Sequence, residues 1–218
     1  MPIVLHLPKA DPPQRTAVLE AAATAVVALC HDDRVGPDGP WHSEFRRWAD
    51  ARIRKVARRA RGAHWLAVQE IDGVTVEVDG AQARAFVPGL VTELDPRIKR
   101  LQVGGTDLDH DDPGAPADPA LPVLWVNGRL GMTLGKAAAQ VGHASMLLAE
   151  ALPSAALAAW RARGFACVVR DADPARWAAL VELVAAGRAV GVRDAGFTEV
   201  APGSMTVIAV PGGESHFL

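Results

Sequence analysis

The sequence predicts an α/β fold in its second half, preceded by a smaller α+β unit. Three observations carry this prediction. Strand-like and helix-like segments alternate after residue 121, a hairpin signal lies near residue 80, and a stretch rich in Pro and Asp separates the two regions. Such alternation is typical of layered α/β sheets.

The separating stretch, HDDPGAPADPA at residues 110–120, has no apolar periodicity. Its composition favours an exposed linker. We therefore divide the chain into an N-terminal α+β region (1–110), a linker (111–120) and a C-terminal domain (121–218). No internal repeat is visible in the sequence.

The first half opens with a predicted strand, Ile3–Leu7, and a helix over residues 15–30 with apolar residues at helical spacing. Residues 74–78 and 83–87 flank Asp79-Gly80, which is a strong hairpin signal. In the second half, predicted strands and helices alternate. The predicted strands are at 123–127, 166–170, 190–193 and 205–210. The predicted helices are at 133–150 and 174–187, with a shorter helix between them that ends near residue 161.

Residues 41–64 predict a strongly basic helix. The segment holds eight Arg or Lys residues and two acids, so its charge is +6 in a chain of net charge −2. One interpretation is a solvated helix face. The other is a surface for nucleic acid, because arginine forks suit phosphate oxygens. With no Tyr and five Phe in the chain, such binding would depend on charge and shape more than on base stacking. The candidate substrate-binding residues here are Arg54, Arg58 and Arg59.

Composition argues for a cytoplasmic protein. Cys30 and Cys167 have no metal or redox spacing and lie in apolar surroundings, which favours free thiols in a reducing compartment. The N-terminal residues do not resemble a signal peptide, and no run of about 18 apolar residues could span a bilayer. The seven histidines show no metal-ligand spacing. We expect no metal, no cofactor and no membrane partner.

The segment GMTLGKAAAQVGHA (131–144) resembles part of a phosphate-binding loop but fails that test. The first glycine is one residue too close, and Ala137 stands where a magnesium-binding hydroxyl is needed. Thr133 is a predicted N-cap, which puts Lys136 in the first helical turn, against the helix dipole. Lys136, Gln140 and His143 share one helix face. On spacing alone, that face could be solvated, with His143 packed near the core.

Two motifs together resemble type 2 peptidyl-tRNA hydrolases. The residues that match the family's first motif are Met132, Gly135, Lys136, Ala138, Ala139, Gln140, His143 and Ala144. Those that match its second motif are Asp194, Ala195, Gly196, Thr198, Ala201, Pro202, Gly203, Thr206 and Val207. Their order, separation and strand or helix context also agree, over about residues 121–213. The sequence of the first half offers no comparable match.

The resemblance implies a four-stranded mixed sheet with helices on both faces, usually in a homodimer. It implies hydrolysis of the ester that joins a peptide to the terminal ribose of tRNA. The residues that would carry the reaction match Lys136, Asp194, Thr198 and Thr206. Phe197 and Glu199 depart from the family, where Arg and then Gln or His are usual, and Ser204 replaces a usual Thr. The change at Ser204 is mild, but the loss of a positive charge at Phe197 and the gain of a negative charge at Glu199 should weaken the attraction for tRNA phosphate.

Ester hydrolysis needs an activated water and a stabilised oxyanion. We expect Asp194 to orient or deprotonate the water, Lys136 to supply positive charge, and Thr198 and Thr206 to donate hydrogen bonds. The candidate substrate-binding residues in this half are Gln140, His143, Gly203 and Ser204. Asn127 and Arg129, at the end of the first strand of this half, are secondary candidates.

Two other functions are open at this stage. The first is a tRNA-binding or adaptor protein that kept the fold and lost turnover, which Phe197 and Glu199 favour. The second is hydrolysis of a different acyl ester, with the first half selecting the substrate. Each of these residues also has a structural interpretation, since Asp-Ala-Gly is common turn chemistry and threonine favours strands.

Overall fold

A computed structural model of the chain describes residues 1–51, 53–105, 107–114, 118–196 and 198–212. Arg52 of the basic segment and Phe197 of the second motif lie outside the described residues, as do 115–117 of the predicted linker and 213–218 of the predicted C-terminal domain. Within the described part, no helix is long and apolar enough to cross a membrane. Cys30 and Cys167 are both free thiols, and Cys167 is buried.

The N-terminal half is an α+β unit built around a four-stranded sheet. Its elements are β1 (Pro2–His6), α1 (Arg15–Cys30), α2 (His42–Ala49), β2 (Val56–Ala60), α3 (Ala63–Val68), β3 (Gly73–Val78), β4 (Ala81–Phe86) and α4 (Pro96–Lys99). The strand order is β2-β1-β4-β3, with β1 parallel to β2 and antiparallel to β4. The predicted hairpin at Asp79-Gly80 joins β3 to β4 and is confirmed.

The basic helix predicted over residues 41–64 is wrong beyond Ala49. Helix α2 ends there, and residues 56–60 instead form the edge strand β2, paired along its length with β1. Ala57 and Ala60 of this strand are buried. Arginine and alanine favour helices in isolation, but strand pairing and burial against β1 override that preference. Arg46 and Arg47 therefore remain on a helix, whereas Arg58 and Arg59 lie on the edge strand and Arg54 lies in the loop before it.

The C-terminal half has the α/β architecture that its sequence predicts. Its elements are β5 (Val123–Asn127), α5 (Leu134–Ala151), α6 (Ser154–Ala162), β6 (Val168–Ala172), α7 (Pro174–Ala185), β7 (Val190–Arg193) and β8 (Met205–Val210). The sheet has the order β6-β5-β8-β7, with β5 parallel to β6 and antiparallel to β8. Apolar residues of one face pack with α5, and those of the other face pack with α7. A mixed four-stranded sheet with helices on both faces is confirmed.

The two halves share one plan, although the sequence shows no repeat. In each half, the first two strands along the chain are parallel neighbours at one edge of the sheet. The third and fourth strands complete the sheet, and the fourth lies antiparallel to both the first and the third. The register is also the same. Pro2 to His6 pairs with Val56 to Ala60, as Val123 to Asn127 pairs with Val168 to Ala172. In each half a long helix follows the first strand, and two further helices flank the second strand.

Helices α1 and α5 pack against each other between the two sheets, and the side chains around them form a single apolar core. A Cβ at Gly142 would lie 2.9 Å from Cγ2 of Val26, so the helices approach closely at this point. The Ser145 hydroxyl donates to the carbonyl of Ala23 at 2.8 Å. From the predicted linker, the Asp111 carboxylate accepts hydrogen bonds from the backbone and hydroxyl of Thr16 in α1. The halves are therefore joined by buried packing as well as by the chain.

A larger side chain at Gly142 should loosen this junction. We expect Gly142→Leu to lower the free energy of unfolding by about 1–3 kcal/mol, because Val26 is branched and cannot move aside without strain. Urea denaturation measures the change. The matched control is Ala159→Leu, on an exposed face of α6, which should change stability by less than about 0.5 kcal/mol. Equal stability of the two variants would contradict a close helix contact.

Candidate active site

The N-terminus of α5 is fixed by a threonine and a glutamate. The predicted N-cap at Thr133 is confirmed, because its hydroxyl oxygen accepts from the backbone N–H of Lys136 at 3.2 Å. The backbone N–H and the hydroxyl of Thr133 donate to the Glu199 carboxylate at 3.1 and 3.0 Å. Glu199 thus places a negative charge at the helix end where the dipole favours one, close to Lys136.

The loop after β7 holds Asp194 in a closed turn. The backbone N–H of Asp194 donates to the carbonyl of Ser204 at 2.9 Å, and that of Gly203 donates to the carbonyl of Asp194 at 2.7 Å. The Asp194 Oδ1 atom accepts from the backbone N–H of Gly196 at 2.8 Å. Gly196 has a φ of 79°, and a Cβ there would overlap Pro202. Only glycine fits this position, so the turn fixes the direction of the Asp194 side chain.

Lys136 and Gln140 meet Asp194 where α5 passes the end of β7. Lys136 Nζ and Gln140 Nε2 each donate to Asp194 Oδ2 at 2.7 Å. Lys136 Nζ also donates to the Thr198 hydroxyl at 3.3 Å. The Lys136 and Asp194 side chains are 8% and 10% exposed. Residues from motifs almost 60 positions apart therefore form one hydrogen-bonded cluster, which we call the central cluster (Lys136, Gln140, Asp194 and Thr198).

Thr206 supports this cluster from below. Thr206 lies on β8 and is fully buried, and its hydroxyl donates to Oε1 of Gln140 at 2.7 Å. Because the amide oxygen of Gln140 accepts this bond, its NH₂ group faces Asp194. The structure thus places Thr206 behind Gln140 and away from solvent, where it orients the amide.

Asp194 is held in its ionised form. Burial by itself raises the pKa of its carboxyl, but hydrogen bonds from Lys136 and from Gly196, together with the Lys136 charge, outweigh burial. The net effect lowers the pKa below its ordinary value of 3.8. A carboxylate with a lowered pKa is a weak base, and it is well suited to orienting a water molecule or a cation.

His143 lies on the same face of α5, beyond Gln140, and faces a lysine of the N-terminal half. Its Nδ1 atom is 3.2 Å from Lys55 Nζ. Burial and the nearby Lys55 charge lower the pKa of His143 to about 3, so the ring is neutral near pH 7. Because an ammonium group can only donate, Nδ1 is the acceptor and the ring proton lies on Nε2.

A cleft of about 430 Å³ opens beside the central cluster. Its C-terminal wall includes Thr133, Lys136, Gln140, His143, Asp194 and Thr198. Its other wall comes from the N-terminal half, and consists of Ile53, Arg54, Lys55, Val56, Ala57 and Val103. Ile53, Val56 and Val103 are 37%, 44% and 51% exposed, so this wall presents an apolar surface. One side of the cleft is therefore polar, and the other combines apolar side chains with the cationic Arg54 and Lys55.

The three predicted binding arginines occupy different places. Arg54 lines the cleft. Arg58 donates to the carbonyls of Lys99 and Leu101, and Arg59 binds the carbonyl of Gly104 and the side chain of Gln102. The last two therefore hold the segment that follows α4, so replacing them would change local structure as well as charge.

Other predicted residues lie beside the cleft and do not line it. Gly203 and Ser204 form the base of the Asp194 turn. Asn127 accepts from the backbone N–H of Arg129 and donates to the carbonyl of Met205, so it links β5 to β8. Within the described residues, no group of three or more His, Cys, Asp or Glu side chains is arranged to hold a metal ion.

Sequence reasoning missed the N-terminal wall of the cleft. Lys55 and its neighbours fall inside the segment predicted as a helix. In the sequence, nothing distinguishes this buried lysine from the exposed basic residues beside it. The signal that could have revealed them is the pattern of the next residues, VARRA, which has buried alanines and pairs as a strand. Contact between this strand and α5 depends on tertiary packing, which no local pattern encodes.

Residues 122–217 match the family model of peptidyl-tRNA hydrolase PTH2. The family resemblance of the C-terminal half is therefore confirmed, over nearly the range that the two motifs predict. It places this half in a family of hydrolases. A search of curated proteins finds no match to the chain.

Removal of the Lys136 ammonium should raise the pKa of Asp194. In Lys136→Met, burial of the carboxyl remains while the largest opposing interaction is lost. NMR titration of the Asp194 carboxyl measures this. In the folded unmodified protein the pKa of Asp194 lies below 3.8. The ionised carboxylate therefore stabilises the fold above that pH, and this contribution is lost as the pH falls through the lowered pKa. The variant should lose this acid-range dependence. The control Lys9→Met, at an exposed loop lysine, should leave the Asp194 titration unchanged.

Proposed function

We propose that the chain hydrolyses the ester bond between tRNA and a peptide or an N-blocked amino acid, which releases the tRNA for reuse. The observation that supports this most is the central cluster. Two motifs of the family's sequence pattern meet there in one ionised, hydrogen-bonded group at the wall of an open cleft. No cofactor is needed for this reaction.

Asp194 orients the attacking water in this proposal. Its Oδ2 atom already accepts from Lys136 and Gln140, while Oδ1 accepts from Gly196. A carboxylate oxygen has two lone pairs, so Oδ1 can accept a further bond from water. The water oxygen then attacks the ester carbonyl carbon. The bond to the ribose oxygen breaks, and the proton from the water ends on that ribose oxygen.

Lys136 and Thr198 stabilise the oxyanion. The lysine ammonium has three hydrogens, of which Asp194 and Thr198 accept two, so the third can donate to the developing oxyanion. The exposed Thr198 hydroxyl accepts from Lys136, which leaves its own hydrogen to donate in the same direction. Preorganised donors of this kind commonly contribute about 2.7–4 kcal/mol each to lowering the barrier. Gln140 and Thr206 keep Asp194 and Lys136 in this geometry.

The two walls of the cleft suit the two parts of the substrate. The polar wall carries the reacting groups, and the apolar surface of Ile53, Val56 and Val103 offers packing for a peptide side chain or for the terminal base. Arg54 adds positive charge at the same side. Glu199 adds a negative charge near Lys136. Because this charge repels tRNA phosphates, we expect slower association with tRNA than a neutral residue at this position would allow.

Loss of either charged partner should abolish most turnover. We expect Asp194→Asn and Lys136→Met each to lower kcat for N-acetylaminoacyl-tRNA by about 100- to 1,000-fold, since each removes a preorganised charge at the reacting centre. The measurement is loss of the ester under single-turnover conditions. The double variant should be little worse than the single ones, because the two residues act as a pair.

The same assay separates the proposal from its alternatives. Tight tRNA binding by the unmodified protein with no ester cleavage would favour a binding or adaptor protein. Cleavage of simple acyl esters in preference to the tRNA ester would favour a different substrate. Full activity in the Asp194→Asn, Lys136→Met double variant would contradict the assignment of the site.

Arg54 should contribute to tRNA binding and not to chemistry. We expect Arg54→Glu to raise KM for N-acetylaminoacyl-tRNA about three- to tenfold at low salt, with kcat nearly unchanged, because a cationic group of the cleft wall becomes repulsive to phosphate. Raising the salt concentration should shrink the difference. The control is Arg161→Glu on α6, where the side chain is 52% exposed and does not line the cleft. An unchanged KM in Arg54→Glu would remove this wall from tRNA recognition.

A further inference from the structure

The N-terminal half is built on the same plan as the hydrolase half but lacks its polar cluster. Counting from the N-cap residues of the two long helices, Gln14 and Thr133, the position of Lys136 is taken by Ala17 and that of Gln140 by Ala21. In the strands, Leu5 pairs with Ala83 as Val126 pairs with Val207, so Gln82 stands where Thr206 does. The N-terminal copy has no equivalent of the lysine or of the glutamine.

The two copies are arranged as a pseudo-twofold pair. Helix α5 contacts strand β2 of the other half, and helix α1 contacts strand β6 in the same way. The relation extends to single residues. Lys55, just before β2, lies 3.2 Å from His143 of α5, and Cys167, just before β6, lies 3.7 Å from Thr24 of α1. Thr24 and His143 are both ten residues after their N-caps.

We infer that the N-terminal half is a built-in second subunit that completes the cleft, and that its Lys55 ammonium binds an anion of the substrate, the tRNA phosphate diester nearest the scissile ester. This inference rests on the proposed function. It assigns to the N-terminal half a substrate-binding role in the reaction, through one side chain that the C-terminal half cannot supply.

Lys55 is placed as an anion-binding group. Its residue is 8% exposed, yet it lines the cleft. The Nζ atom lies 3.2 Å from His143 Nδ1, 3.4 Å from Met146 Sδ and 5.0 Å from the centre of the Trp48 ring. Among the described residues, no carboxylate lies within ion-pair distance of it. A buried cation without a counter-ion is costly, and a substrate anion in the cleft would remove that cost.

The Lys55 side chain is mostly protonated near pH 7. Burial lowers the pKa of Lys55 to about 8, still above neutral pH. Its neighbour His143 accepts a hydrogen bond and is neutral. His143 Nδ1 and Met146 Sδ each accept one hydrogen of the ammonium, so the third hydrogen is left to donate to an anion in the cleft.

The position of Lys55 along the cleft favours a phosphate over the reacting carbonyl. His143 is seven residues beyond Lys136 on α5, so it lies about 10 Å further along the helix. The Lys136–Asp194 pair, however, lies beside the Gln140 amide, which shares Asp194 Oδ2 with the lysine. Gln140 is three residues before His143, so Lys55, which is hydrogen-bonded to His143, is displaced from the pair by about one helical turn, ~4.5 Å along the axis. Lys136 already faces the position of the scissile carbonyl, so a second cation one turn further along the cleft is placed for a neighbouring group of the substrate, and the adjacent tRNA backbone offers a phosphate.

The test compares Lys55→Met with the unmodified protein on two substrates. For N-acetylaminoacyl-tRNA we expect KM to rise about tenfold, with kcat nearly unchanged. For the corresponding N-acetylaminoacyl-adenosine, which has no phosphate, both constants should be unchanged. The slope of log Kd for uncharged tRNA against log salt should fall by about 0.7, the value for one contact to a single-stranded phosphate. The unfolding temperature should stay the same or rise, because an uncompensated buried charge is removed.

Other results would overturn the inference. Equal losses on both substrates would place Lys55 at the reacting centre or at the peptide. An unchanged KM and salt slope would show that it binds no phosphate. A lower unfolding temperature together with reduced kcat would make it a structural residue. If the unmodified protein does not cleave the tRNA ester, the proposed function fails, while the Kd and salt slope still report on Lys55.

Two controls complete the design. Lys55→Arg keeps the charge and should recover part of the tRNA affinity, whereas Lys9→Met removes an exposed lysine and should change neither substrate constant. Sedimentation equilibrium tests the built-in subunit directly. We expect a 23.0 kDa particle, in place of the homodimer that the family resemblance implies. A stable dimer at assay concentrations would contradict this part of the inference.

Discussion

The geometry of the candidate site depends on one ion pair, between Lys136 of α5 and Asp194 after β7. Each partner is held by a separate device. The Thr133 cap sets the first turn of α5, and the closed turn through Gly196 aims the carboxylate. A lysine in the first helical turn opposes the helix dipole, and the carboxylates of Asp194 and Glu199 offset that cost. The same arrangement keeps Asp194 ionised and leaves Lys136 one donor for a substrate.

The second constraint is the packing of α1 on α5. Since these helices share one apolar core with both sheets, neither half can bury its long helix without the other. The strand β2 is thereby brought against α5, which creates the apolar and cationic wall of the cleft. The N-terminal half thus affects the site through the core as well as through the residues that line the cleft.

The sequence predicts the parts of the molecule whose signals are local. Alternating elements, the Asp79-Gly80 hairpin, the Thr133 cap and the shared face of Lys136 and Gln140 all follow from spacing and residue type. For the basic strand β2 the sequence predicts a helix, because its residues favour one when tertiary pairing is ignored. The buried position of Thr206, the tertiary neighbours of Lys55 and the common plan of the two sheets depend on contacts between distant segments. Periodicity carries no information on those.

The pseudo-twofold arrangement has an evolutionary consequence. In an assembly of identical chains, every substitution appears on both sides of the axis, so a residue that helps one site is also imposed on the other. Two copies within one chain are free of that coupling. Lys55 can line the cleft while its counterpart Cys167 stays buried in the core. Duplication followed by divergence would therefore let one half keep the polar cluster while the other half forms a different wall of the cleft.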